Sequence, residues 1–123
     1  MSRILIIDDD RHMRSVCERI LSKAGHDVTC AESGSEGLEA IKTATTPFDI
    51  ILLDELMPGM SGMDVLEQTK IIDSTLPVVI VTGSATEEMT KELVAKGARD
   101  CLPKPFNPEQ LRNIIQKIVG SSQ

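Results

Sequence analysis

Neither tryptophan nor tyrosine occurs in this chain, and phenylalanine occurs only twice, at Phe48 and Phe106. A flavin carrier needs aromatic walls for its cofactor and a hydroxyl- and glycine-rich phosphate loop after the first strand, where this chain has Asp8, Asp9 and Asp10. The three cysteines, Cys17, Cys30 and Cys101, are widely spaced and form no CxxC pair. That spacing disfavours a disulfide framework and a zinc site, and reduced thiols are expected. His12 and His26 have no second ligand at metal spacing and are expected to be exposed residues without chemistry. No apolar run approaches the roughly 20 residues that cross a bilayer. The opening MSRILIIDDD has no signal-peptide pattern, so a cytoplasmic location is expected and no membrane contact. With a net charge of −6 and scattered basic residues, no face is set up for direct nucleic-acid binding. Repeats, linkers and low-complexity stretches are absent too.

What is there suits one domain over residues 1–123 with a core at about 3–119, since 123 residues can build a single core and 41% of them are apolar. Short Ile- and Val-rich runs predict strands at Ile4 to Ile7, Asp27 to Ala31, Asp49 to Leu53, Val78 to Thr82 and Asp100 to Leu102. Helical spacing puts Met13, Val16, Cys17, Ile20 and Leu21 on one stripe, and Leu111, Ile114, Ile115, Ile118 and Val119 on another. Ser33 with Glu36, Ser61 with Asp64, and Asn107 with Pro108 and Gln110 signal helix starts, while Gly25 and Gly97 signal ends. Strict alternation of strand and helix, with strands apolar on both faces, predicts an α/β fold: a (βα)5 doubly wound parallel sheet covered by helices on both sides.

In such a sheet ligands bind beyond the carboxyl ends of the strands. Those ends carry Asp8, Asp9 and Asp10, then Asp54 and Glu55, then Thr82, Gly83 and Ser84, and finally Lys104 and Pro105. Crowded carboxylates repel one another unless a cation joins them. Oxygen donors without histidine or cysteine favour a hard ion such as Mg²⁺, which keeps waters and takes phosphate oxygens. A metal, a lysine and a hydroxyl around one carboxylate are suited to phosphoryl transfer, where catalysis is mostly positioning and charge stabilisation. Asp10 reads better as a helix cap and Glu55 as a solvated acid. Met57, Met60, Met63 and Met89 read as packing residues.

Four motifs in order, ILIIDDD, LLDELMPGMSG, VIVTGS and PKPF, resemble the receiver domains of two-component response regulators over essentially the whole chain. The resemblance implies the flavodoxin-like strand order 2-1-3-4-5. It implies that Asp54 accepts a phosphoryl group from the phosphohistidine of a sensor histidine kinase or phosphotransfer protein. Asp8, Asp9, Asp54 and the backbone carbonyl of Leu56 would hold Mg²⁺, Lys104 would pair with the phosphoryl oxygens, and Thr82 would hydrogen-bond one of them. A cis bond before Pro105 is implied as well. The domain would then switch its surface around helix 4, strand 5 and helix 5, catalysing its own phosphorylation and dephosphorylation rather than turning over a substrate. A phosphorylation-dependent dimer is compatible with this reading; the output domain and cognate kinase are left open. The alternative is a phosphorylation-independent interaction module of the same shape.

Two positions depart from the family pattern. Cys101 stands where these domains commonly carry an aromatic switch residue, so the loop from Thr82 to Thr86 and the faces of the fourth and last helices are expected to carry the switch. Leu56 is apolar where some relatives have a polar residue that orients water, and slow loss of the phosphoryl group is expected.

Overall fold

The computed structural model describes residues 2–83 and 86–120. Five strands and five helices alternate: β1 (Arg3–Ile7), α1 (Arg11–Lys23), β2 (Asp27–Ala31), α2 (Gly34–Thr43), β3 (Ile50–Asp54), α3 (Gly62–Ile72), β4 (Val78–Thr82), α4 (Glu87–Ala95), β5 (Asp100–Pro103) and α5 (Pro108–Gly120). All strand pairings are parallel and the sheet order is β2-β1-β3-β4-β5, as the sequence patterns and the family resemblance lead one to expect. The order reverses between β1 and β3, which opens a crevice at their carboxyl ends.

Side chains alternate across each strand, and the doubly apolar strands therefore feed two cores. Leu5, Ile7, Ile51, Leu53 and Ile80 pack with Leu38 of α2, Val65 and Leu66 of α3 and Leu93 of α4. Ile4, Ile6, Ile50, Leu52, Val79 and Val81 face Cys17 and Leu21 of α1 and Leu111, Ile115 and Ile118 of α5. All five residues of β3 are buried. Each of its four aliphatic side chains contributes about 1.5–3 kcal/mol by leaving water. Together they offset the several kcal/mol that burying a carboxylate costs, so the strand can hold Asp54 at its end.

Helix boundaries follow local chemistry. Ser61 and Asp64 form a complete capping box, and Asn107 and Gln110 exchange side-chain bonds with each other's backbone N–H. Ser33 caps α2 through the Glu36 N–H, but the Glu36 carboxylate accepts from Glu32 N rather than from Ser33, so the expected box is half made. Gly25 and Gly97 close α1 and α4 at φ 93° and 113°, where a Cβ would be strained. β3 runs one residue further than its apolar pattern predicts, because Asp54 pairs with Val81 and Glu55 N donates to Val81 O. His26 is half-buried rather than exposed: its Nδ1 accepts from Ser2 N, and burial lowers its basicity. Among the described residues no helix is long and apolar enough to cross a membrane.

Candidate active site at the carboxyl edge of the sheet

β1 stops at Ile7, and Asp8 continues the ladder by donating its N–H to Ala31 O of β2. Its side chain is buried, with Oδ1 accepting from Asp10 N at 2.9 Å, while Asp9 is exposed. Asp10 serves as the cap of α1, its Oδ1 accepting from His12 N and Met13 N. Asp54, the last residue of β3, is 5% exposed. One carboxylate oxygen each from Asp8, Asp9 and Asp54 lies within 4.8 Å of the others. Lys104 reaches in from the tip of β5, placing Nζ 2.9 Å from Asp54 Oδ1. Its own N–H donates to Thr82 O, which ties the lysine's backbone to the end of β4. The Lys104–Pro105 peptide is cis. Thr82 ends β4 with 1% exposure, one residue beyond the Val81 that pairs with Asp54.

The charges respond to this crowding. Burial, aided by the nearby charges of Asp54 and Asp9 and opposed by the Asp10 N–H and Lys104, raises the Asp8 pKa from 3.8 to about 6. For Lys104, burial works against the charged form, but the hydrogen bond and attraction of Asp54 outweigh it and raise its pKa. The edge is thus a set of converging hard oxygen donors with one ammonium group, short of positive charge. That donor set fits a hard divalent cation.

Gly62 explains the glycine that ends the DELMPGMSG loop. A Cβ there would lie 2.7 Å from Asp54 O, 2.8 Å from Glu55 Cα and 3.0 Å from Glu55 O, while Gly62 N donates to Glu55 O at 2.9 Å. The start of α3 therefore rests directly on the backbone that carries Asp54.

Residues 4–116 match the family described as the response regulator receiver domain. The chain belongs to that family. Receiver domains of this family act in two-component signalling, and an aspartyl phosphoacceptor is typical of them. The chain is 38% identical over 118 residues to the DNA-binding transcriptional regulator NtrC of Klebsiella pneumoniae, covering 96% of itself and 25% of that protein. It thus spans about a quarter of the length of this relative. Among solved structures it superposes on the chemotaxis protein CheY4 of Vibrio cholerae with TM-score 0.89 and 32% identity, covering 96% of this chain and 98% of the other. With the receiver domain of the Francisella response regulator 1452 the TM-score is 0.92 at 26% identity, over the full length of both chains.

Within this receiver domain, several residues stand differently from what spacing suggests. Glu55 is not a solvated acid: it is half-buried, and Oε2 is out of water with no hydrogen-bond partner among the described residues. Its charge acts on Cys101, whose thiol pKa is raised by burial first, with a hydrogen bond from Thr90 opposing and Asp100 and Glu55 adding. At the position where the family resemblance leads one to expect an aromatic ring, this chain thus has a small buried thiol whose ionisation the Glu55 charge opposes. Burial also holds Cys17 at about 12 and Cys30 at about 11, so the three cysteines are thiols rather than reactive thiolates. Met57, Met60, Met63 and Met89 are partly buried against the core, as packing residues should be. The Leu56 side chain is 77% exposed beside the site. Ser84, and with it part of the Thr82-to-Thr86 loop, lies outside the described residues. Arg14, which no motif marks, donates from Nη1 to Asp8 O at 2.7 Å.

The raised Asp8 pKa has a measurable consequence. A folded pKa above the unfolded value means the stability associated with Asp8 is full below pH 3.8 and lost as pH rises through about 6. In chelator at pH 7.5, Asp8→Asn should therefore be more stable than the parent by about 2–3 kcal/mol. The difference should vanish near pH 4. Urea unfolding followed by circular dichroism at the two pH values checks this, the chain having no Trp or Tyr for fluorescence.

Proposed function

We propose that Asp54 accepts a phosphoryl group from the phosphohistidine of a sensor histidine kinase or phosphotransfer protein. The observation that carries this reading is the Lys104 ammonium held 2.9 Å from a buried carboxylate on which Asp8 and Asp9 also converge. Asp8, Asp9, Asp54 and the Leu56 carbonyl hold Mg²⁺, which when bound supplies the positive charge that the three carboxylates lack. An Asp54 oxygen attacks phosphorus. The bond from phosphorus to the donor imidazole nitrogen breaks, and its electron pair stays on that nitrogen, which takes a proton. Lys104 neutralises charge on the phosphoryl oxygens, and Thr82 donates its hydroxyl to one of them, groups preorganised at the strand ends. Lys104 also borders an apolar pocket of about 360 Å³ lined by His12, Met13, Val16, Pro105 and Phe106, where the donor's apolar surface can seat.

Phosphorylation then shifts the population of a two-state domain toward a form read at α4, β5 and α5. With Cys101 in the aromatic's place, the signal travels through Thr82, the segment after it and the α4 face. The domain acts in the cytoplasm, contacts no nucleic acid itself, and passes its state to an output domain, a partner protein or a second copy. It is a signalling acceptor that catalyses its own phosphorylation and dephosphorylation, not a turnover enzyme. Intact mass after incubation with acetyl phosphate tests this. One phosphoryl group should be added with Mg²⁺ and none with chelator. An unchanged mass in both would favour a phosphorylation-independent module, and multiple turnover of small phosphate esters would favour a phosphatase.

A further inference from the structure

We infer that Arg14 is a positioning residue for the cation site, acting on the peptide plane that joins Asp8 to Asp9 rather than on either carboxylate; the inference rests on the reading that these two acids hold Mg²⁺. Arg14 lies in the first turns of α1 with its side chain 15% exposed. One arm of its guanidinium donates to Asp8 O at 2.7 Å, and the other reaches Glu32 Oε2 at 3.4 Å. Glu32 directly follows β2, and its own N–H bonds the Glu36 carboxylate in the first turn of α2. The guanidinium therefore clamps the tip of β1 to the tip of β2.

Asp8 is fixed from three sides: its N–H by Ala31 O, its Oδ1 by Asp10 N and its carbonyl by Arg14. Asp9 is exposed, and its direction depends on the peptide it shares with Asp8. The Asp8 oxygen and the Asp9 nitrogen belong to one rigid plane. Holding that oxygen sets the rotation of the plane, and with it the direction in which the Asp9 carboxylate leaves the chain. Arg14 contributes little as a charge here, because the cation that favours ionised Asp8 is Lys104. Its fork geometry is what matters, and a lysine at this position can reach one acceptor but not hold both.

Groups that orient metal ligands from behind typically matter 10- to 100-fold in affinity. Arg14→Ala should accordingly weaken Mg²⁺ binding about tenfold or more by isothermal titration calorimetry. Arg14→Lys should fall between. Phosphorylation by acetyl phosphate should recover toward the parent rate once Mg²⁺ is saturating, a split that general destabilisation does not produce. In the metal-free protein the Asp9 amide resonance should move in both variants while resonances of α4 stay in place. Should Arg14→Ala fail to fold, Arg14→Lys carries the same comparison. Parent-like Mg²⁺ affinity with an unmoved Asp9 amide overturns the inference. If the parent itself takes up no Mg²⁺, the functional reading falls, and the metal-free Asp9 resonance alone decides whether Arg14 holds the peptide.

Discussion

Asp54→Asn is expected to take up no phosphoryl group from acetyl phosphate and Mg²⁺, a loss of at least about 100-fold relative to the parent, on the scale of removing an activated nucleophile. Asparagine has nearly the size and shape of aspartate, so β3 keeps its packing and its pairing with Val81. What disappears is the ionised oxygen that attacks phosphorus, because a carboxamide oxygen carries no full charge. The same change removes the partner of Lys104 Nζ. Lys104 is about a third exposed, so water can take the carboxylate's place and the fold survives. With one like charge gone from beside Asp8, that group should ionise more easily. Intact mass with peptide mapping reads the phosphoryl group, and circular dichroism reads the fold. Incorporation into a folded Asp54→Asn protein at the parent level would place the acceptor elsewhere.

Gly62→Ala should lose about 1–4 kcal/mol in urea unfolding and lose phosphoryl uptake with it. The atoms a Cβ would meet are backbone, at 2.7 to 3.0 Å, and no rotamer change moves them away. Either α3 lifts off the loop and the bond from Gly62 N to Glu55 O breaks, or the Asp54–Glu55 peptide tilts. Overpacking of this kind costs about 1–3 kcal/mol and the lost hydrogen bond about 1 more, against a gain of less than about 1 from the better helix former. Gly83 is the comparison. It follows Thr82 directly, but among the described residues a Cβ there meets nothing within 4 Å, and its φ is not positive. Gly83→Ala should stay within about 0.5 kcal/mol of the parent. Equal stability of the two alanine variants would refute this account of the motif glycine.

The five βα units and the set of strand-end residues were legible because they follow from local patterns, whereas the strand order came from the family resemblance and not from any pattern. Four-residue apolar runs such as Ile50 to Leu53, too short for helices and alternating with helical stretches, read as buried strands, and in a parallel sheet their carboxyl ends lie on one edge. Side-chain depth was not legible. Glu55 is adjacent to Asp54, and a list of acids cannot say that its Oε2 leaves water or that its charge is felt by a cysteine almost fifty residues later in the chain. Arg14 was invisible for a related reason: its acceptor is a backbone oxygen, which leaves no mark in the sequence. His26 read as an exposed strand-edge residue, yet the segment leading into β1 brings Ser2 against its ring. The Glu55 and His26 misses involve segments distant in sequence, and the Arg14 miss involves a backbone acceptor only six residues away; local side-chain pattern carries no information about either kind.

A crystal structure grown with Mg²⁺ and beryllofluoride, which mimics an aspartyl phosphate, tests the central claim most directly. The account predicts a cation bonded to oxygens of Asp8, Asp9, Asp54 and the Leu56 carbonyl, with the fluorides on Asp54 approached by Lys104 Nζ and the Thr82 hydroxyl. A metal-free edge, with Asp54 turned away and no fluoride on it, would contradict it.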